Sequence, residues 1–355
     1  MKKHLIVIVP LLLLIASSLI SGILTGWYRM GFYLPVSAVY VHHGAIMTGS
    51  FLGTVILIER ITGMKAKWLF VFPLINVSSI VFFWLGVTSV GYLTLILGAI
   101  GLIVVFIMII VKHEDLPHRL MLVAAVALCI GNILIFLSNT YSEAILWWMA
   151  FLLITIVGER LELTRFLPVS RLKQQFLTVL LGLFILACLI PFHYGGRYLT
   201  GISMILIASW LLLYDMVRKS IRHSGIHRYT AVALTCGYVW LGITGLFFLM
   251  EKSGAVPYDS LIHTFFLGFV FSMIFAHAPI ILPGIFKLSY KLYHPMLYVW
   301  VFMLQLTLAV RIIGGLLEWP VWKQLGGFAN GIVIILFLGT ILWVKNSHRT
   351  KLKDG

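Results

Sequence analysis

The sequence predicts an all-α, polytopic membrane helix bundle of about twelve transmembrane helices, and three observations predict it. First, 61% of the 355 residues are hydrophobic and only 10% are charged, against about 25% charged in soluble domains. Second, twelve apolar runs approach the ~20 residues that cross a bilayer as a helix. They lie at roughly 4–24, 36–58, 68–86, 91–111, 119–137, 143–163, 175–192, 196–216, 228–250, 260–283, 294–316 and 327–345. Third, Lys and Arg alternate between loops. The N-terminus, every second loop and the C-terminal tail hold 21 of the 26 basic residues, while the opposite loops hold Arg29, Arg197, Lys252 and Lys323. This asymmetry places both termini in the cytoplasm, in keeping with an even number of spans. It also accounts for the net charge of +15 with no nucleic acid as partner. The loops are short, so residues 1–355 read as a single integral membrane domain, multi-pass in the inner (plasma) membrane, with the lipid bilayer as its surroundings.

Taken in order, the first run follows Met-Lys-Lys-His and continues to Ile20 with no small-x-small site after it, which predicts a retained helix rather than a cleaved signal. Aromatic residues mark the two interfaces: Trp27, Tyr28, Trp147, Trp148, Tyr258, Trp319 and Trp322 outside, and Trp68, Tyr214, Tyr229, Tyr290 and Trp343 inside. Cys129, Cys188 and Cys236 sit singly in apolar runs, so no disulfide framework or C-x-x-C pair is expected. No internal repeat stands out. P-loop, dinucleotide and H-E-x-x-H motifs are missing. Asp and Glu stand only at span ends, which weighs against a proton-coupled transporter, since that class needs acids at depth.

Histidines inside spans are the candidates for chemistry, because a buried imidazole in lipid requires a partner. The tenth span carries His263 and His277. Fourteen residues at about 100° each stop ~40° short of four turns, which predicts one shared face, with the rings ~21 Å apart along the axis. His42 and His43 begin the second span about two turns below the outer surface, ~100° apart, so they face different neighbours or only one is a ligand. Met47 lies one turn after His43, and imidazole with thioether suits copper. The candidate metal donors are therefore His42, His43, Met47 and His263. The plain alternatives are histidines bonded to nearby hydroxyls or carbonyls, and a Met that fills a gap. Gly44 and Gly49 let a helix or a flat macrocycle come close.

Arg311 is the basic residue deep in a span. It needs an anion or a carbonyl, and with no carboxylate at mid-span a haem propionate is a natural partner. Snorkelling to the interface is the alternative. Glu159, Arg160, Glu162 and Arg165 close the sixth span at spacings that allow local ion pairs at a solvated end. His294 opens the eleventh span, either facing His277 or solvated. The histidines at positions 4, 113, 118, 193, 223, 227 and 348 stand at span ends or in loops and are given no site role.

Several segments together resemble the NnrS family, twelve-span bacterial membrane proteins of the nitric oxide response that bind haem and copper. They are VHHGAIMTG with His43, Gly158 and Arg160 closing the sixth span, Gly237, Tyr238 and Trp240 in the ninth, His263, Gly268 and Met273 in the tenth, and LTLAVRIIG with Arg311. Two departures stand out. Gly44 occupies the position of the family's glutamate, and HAPIILPG replaces an arginine and a glycine-histidine pair. The resemblance implies a haem, of b type, and possible copper, with His43, His263 and Arg311 as cofactor-binding residues and nitric oxide as a diatomic partner; His277, from its own place in the tenth span, is the fourth cofactor-binding candidate. A likeness to the haem–copper oxidase catalytic subunit is more distant, because the sixth and seventh spans lack its internal histidines. Two other classes stay open: a cofactor-free permease, and an electron-transfer subunit linked to quinone.

Overall fold

The computed structural model describes residues 2–163, 169–252, 254–286 and 288–351. Among the described residues every regular element is helical, and twelve helices are long and apolar enough to cross a membrane. They are α1 Val9–Arg29, α2 Tyr40–Thr62, α3 Lys67–Trp84, α4 Thr88–Ile110, α5 Leu116–Ser138, α6 Tyr141–Leu163, α7 Arg171–Leu189, α8 Gly196–Tyr214, α9 Ile226–Met250, α10 Tyr258–Phe286, α11 Leu297–Leu316 and α12 Pro320–Ser347. The protein is a multi-pass membrane helix bundle whose apolar helices suit contact with lipid.

The largest shift from an expected boundary is in α12, which starts at Pro320 rather than 327, and the first two spans also end later than expected, at Arg29 and Thr62. α1 runs through Gly22 and Gly26 to Arg29 and stops ahead of Gly31, whose φ of 96° only glycine adopts readily. The following stretch stays irregular through Pro35, so α2 starts at Tyr40 with a tight turn, Tyr40–His42. His42 and His43 therefore sit in the first turn of the helix, not two turns inside it.

Contacts divide the chain into two compact units, residues 1–159 and 160–355. In the first, α3 and α4, then α4 and α5, pack as neighbouring hairpins, and α1 lies on α2 and α3. Buried amides bind these helices. Asn76 on α3 donates to the Gly49 carbonyl and the Thr54 hydroxyl of α2, both at 2.8 Å. Asn132 on α5 donates to the Leu95 carbonyl at 3.0 Å and accepts from the Trp148 indole N–H at 3.0 Å. Hydrocarbon gives helices no hydrophobic drive to associate, so such bonds, each worth about 0.6–2 kcal/mol, and close small-residue packing do the work.

In the second unit, α8 packs on α7 and α9, α9 on α10, and α11 with α12. Gly201 of α8 and Gly245 of α9 face each other so closely that a Cβ on either would stand 2.6–2.7 Å from the other's carbonyl oxygen. A similar approach brings Gly326 of α12 onto the Arg311 backbone, where a Cβ would stand 2.5 Å from the Arg311 nitrogen.

Two spans are not uniform α-helix. Ile46–Gly53 in α2 and Thr264–Phe271 in α10 are π-helical, eight residues each. Long π stretches are rare and concentrate at functional sites. Their i→i+5 bonding takes more residues per turn than an α-helix. This undoes the expectation that His263 and His277 share a face, because eight of the residues between them are π-helical.

Pro279 and Pro283 lie inside α10 without ending it. Each lacks an N–H, which leaves the carbonyl four residues earlier without its helical donor. The Phe275 carbonyl accepts instead from the Tyr229 hydroxyl at 2.9 Å. The Pro279 carbonyl accepts from the Leu292 N–H at 3.1 Å. Prolines in membrane helices persist where neighbours supply the missing donors in this way.

Candidate functional sites

In the first unit, α1 presents Gly22 and Gly26 one turn apart, and α2 closes onto them. The His43 ring lies over Gly26, where a Cβ would stand 3.1 Å from its Cε1. Its Nδ1 is 2.9 Å from the Gly22 carbonyl oxygen and 3.2 Å from the Thr25 hydroxyl. A carbonyl only accepts, so Nδ1 carries the proton. The Met47 thioether sits on Gly22, where a Cβ would meet its sulfur at 2.0 Å. The expected common face of His43 and Met47 is therefore real, and it is filled by the α1 backbone.

His42 turns the other way. It stacks on Phe83, with centroids 4.8 Å apart and planes 17° apart. Its Nδ1 is 3.2 Å from the Tyr92 hydroxyl and its Nε2 3.4 Å from the Thr88 hydroxyl. Both ring nitrogens are engaged within the first unit, so the expected metal role of His42 is not supported. Gly44 and Gly49 serve packing: the Tyr141 ring covers one and the Leu95 side chain the other.

In the second unit, α10 carries one cluster near each end. At the Tyr258 end, Asp259 grips Arg311 bidentately, with Nε to Oδ2 at 3.0 Å and Nη2 to Oδ1 at 2.7 Å. The anion that Arg311 requires is thus a carboxylate of the chain itself, where the sequence suggested a propionate. Asp259 stands at a span end but reaches the arginine because it occupies the first turn of α10, four residues before His263. His263 donates from Nδ1 to the Asp259 carbonyl at 2.8 Å. Arg311 Nη2 stands 3.3 Å from both ring nitrogens of His263.

Towards the Phe286 end, Arg160 pairs with Asp215 through Nε to Oδ2 at 2.7 Å and Nη2 to Oδ1 at 2.8 Å. Asp215 also accepts from the Tyr238 hydroxyl at 3.0 Å and the Val217 N–H at 2.9 Å. Four donors thus converge on one carboxylate whose side chain is 0% exposed. Arg160 extends Nη1 to 3.3 Å from Nε2 of His277, whose Nδ1 lies 2.8 Å from the Met273 carbonyl. The Met273 carbonyl fixes the proton on Nδ1, so Nε2 faces the guanidinium as acceptor and the ring is neutral.

Glu159 and Arg160, expected to form local ion pairs at the end of the sixth span, have distant partners. Glu159 pairs with Arg60 in the first unit, and Arg160 with Asp215 in the second. Arg165 lies outside the described residues. His294 does not face His277; its Nδ1 accepts from the Met296 N–H at 3.2 Å. The three cysteines are free thiols.

Between the clusters, α9 and α10 mesh through residues singled out in the sequence. Gly237 receives Met273, and Gly268 receives Trp240. The Trp240 indole donates to Gln305 at 2.6 Å, and Gln305 donates to Ser272 at 3.2 Å. Sequence reasoning missed Asp215, Gln305 and both π-helices. Asp259 left one signal, an acid one helical turn before a histidine.

Haem and copper differ in how these donors suit them. A metal-bound imidazole commonly donates its other N–H to a carbonyl, and His43 has that arrangement at Gly22. His263 and His277 share it, but each meets a guanidinium near Nε2, which does not suit iron. For copper, no group of three His, Cys, Asp or Glu side chains able to hold a metal ion occurs among the described residues. His42 and His43 turn to different neighbours, and the Met47 sulfur packs on Gly22.

The fold and these clusters define a polytopic α-helical membrane protein with ion pairs buried near both ends of one span. Residues 8–346 match the sequence profile of the family described as Domain of unknown function (DUF8744), and the chain belongs to that family. No curated protein and no solved structure matches the chain.

Proposed function

We propose that this is a haem-binding inner-membrane protein of NnrS type that acts in nitric oxide response or tolerance, with both termini in the cytoplasm. The observation that supports the reading is the Nδ1–H bond from His43 to the Gly22 carbonyl, which sets the tautomer that an iron-ligating imidazole takes. The sequence resemblance to the NnrS family points the same way. A bound haem would supply an iron centre able to bind a diatomic gas. His43 is the residue assigned to hold it. Thr25 and Gly22 hold the ring in place, and Asp259 fixes Arg311 beside His263. Copper is not carried into the proposal, because His42 and His43 face different neighbours and the Met47 sulfur is packed on Gly22.

The test is the absorption spectrum of the purified protein. A Soret band that falls in His43→Ala and persists in His113→Ala is the expected result. A colourless, metal-free preparation overturns the proposal and favours the second reading, a cofactor-free permease. One observation favours that second reading: Asp215 and Asp259, at span ends, form ion pairs with the buried Arg160 and Arg311.

A further inference from the structure

We propose that a groove between α7 and α8 is a binding site for an anionic glycerophospholipid. The two helices form an antiparallel pair, and Leu172, Phe176, Leu206, Trp210 and Leu213 line the trough between them, with Ser209 on its wall. Its apolar rim is open: Leu172 is 77% exposed and Phe176 and Leu213 are each 52% exposed. Trp210 forms the floor and is locked there by its indole N–H, which donates to the Lys173 carbonyl at 3.0 Å. From Tyr214 to Leu206 the trough runs eight residues of helix, about 12 Å. It therefore descends from the helix ends into the apolar part of the span and has the form of an acyl-chain seat.

One end of the trough is cationic. Lys173 lies over the Tyr214 ring with its ammonium 4.3 Å from the centroid. Arg218 donates to the carbonyl of the groove residue Leu213 at 3.1 Å, which brings a second cation to the same rim. No acidic residue lines the trough, and Asp215 beside it is consumed by Arg160, Tyr238 and Val217. Two cations at the head of an apolar trough that no acidic residue lines among the described residues match a phosphate head with a hydrocarbon tail. Basic alternation of the loops places this end at the cytoplasmic face, where anionic lipids and basic pockets between helices meet.

The experiment is native mass spectrometry of the full chain in detergent, titrated with phosphatidylglycerol and with phosphatidylcholine of the same acyl chains. Each cation near such a surface strengthens binding about fivefold, so with two of them phosphatidylglycerol is retained on the order of thirtyfold more strongly. Lys173→Ala with Arg218→Ala removes the preference. Lys65→Ala with Lys67→Ala removes equal charge from other exposed positions and leaves it intact. Ser209→Phe, which fills the trough, lowers retention of both lipids. Equal retention of the two lipids overturns the assignment. So does an equal loss in both double variants, which makes the effect one of diffuse charge. A dimer whose formation excludes lipid also overturns it, by giving the groove to a second copy of the chain.

Discussion

Arg160 and Asp215 form a bidentate ion pair whose side chains are 5% and 0% exposed. Removing one partner of such a pair strands the other charge away from water, which costs about 3–5 kcal/mol. Asp215→Asn and Arg160→Met are each expected to lower thermal stability in detergent strongly. The double variant Arg160→Met/Asp215→Leu is expected to lose less than either single change, because no charge is left alone. Equal or additive losses in the double variant argue that the pair is not coupled.

Asp259 and Arg311 are less enclosed, with side chains 23% and 7% exposed. Asp259→Asn keeps the shape and removes the charge, so the expected cost is that of hydrogen bonds to a charged group, roughly 1.5–3 kcal/mol. Leu317, at the end of the same helix and 51% exposed, serves as the comparison: Leu317→Ala is expected to shift the melting point little. A loss at Asp259 no larger than that of Leu317 removes the ion pair from any account of this cluster.

Both nitrogens of His42 are satisfied by Tyr92 and Thr88, whereas His43 is set against α1. His42→Ala is therefore expected to retain haem, and His43→Ala to lose it. Soret absorbance per protein is the measurement, with the melting point as a control for folding. A loss confined to His42→Ala reverses the assignment.

The Met47 sulfur occupies the space where a Gly22 side chain would begin. Gly22→Ala overpacks that contact, at an expected cost of about 1–3 kcal/mol. Adding Met47→Ala vacates the space, so the double variant is expected to recover part of the loss in a melting experiment. Were Gly22→Ala neutral, α1 and α2 would not be in the close contact described.

The Tyr229 hydroxyl serves the Phe275 carbonyl because Pro279 cannot. Tyr229→Phe is expected to cost about 1–3 kcal/mol, the penalty of a buried acceptor left without a donor. In a Pro279→Ala background the helix regains its own N–H, and the same substitution is expected to cost less. A double-mutant cycle reads the difference directly.

Much of this molecule was legible in the chain alone. Apolar run length locates all twelve spans, most of them to within about five residues and the start of α12 seven residues late, because a helix must satisfy its own backbone polarity across the hydrocarbon. The same reasoning marked His43 and Met47 as one face, since their spacing is a single turn. It could not show what lay against that face, because glycines on α1 leave no pattern that names their partner.

Tertiary structure decided the partners. The anion for Arg311 came from Asp259 and that for Arg160 from Asp215. Such pairings depend on which helix lies beside which, and lipid-facing sequences carry little trace of neighbours when both lipid and core are apolar. It also decided the phase of α10, where a π-helical stretch between His263 and His277 broke the uniform turn that a count of residues assumes. Local hydrogen-bond rules therefore set how far each helix runs, while long-range packing determined which polar groups meet inside the membrane.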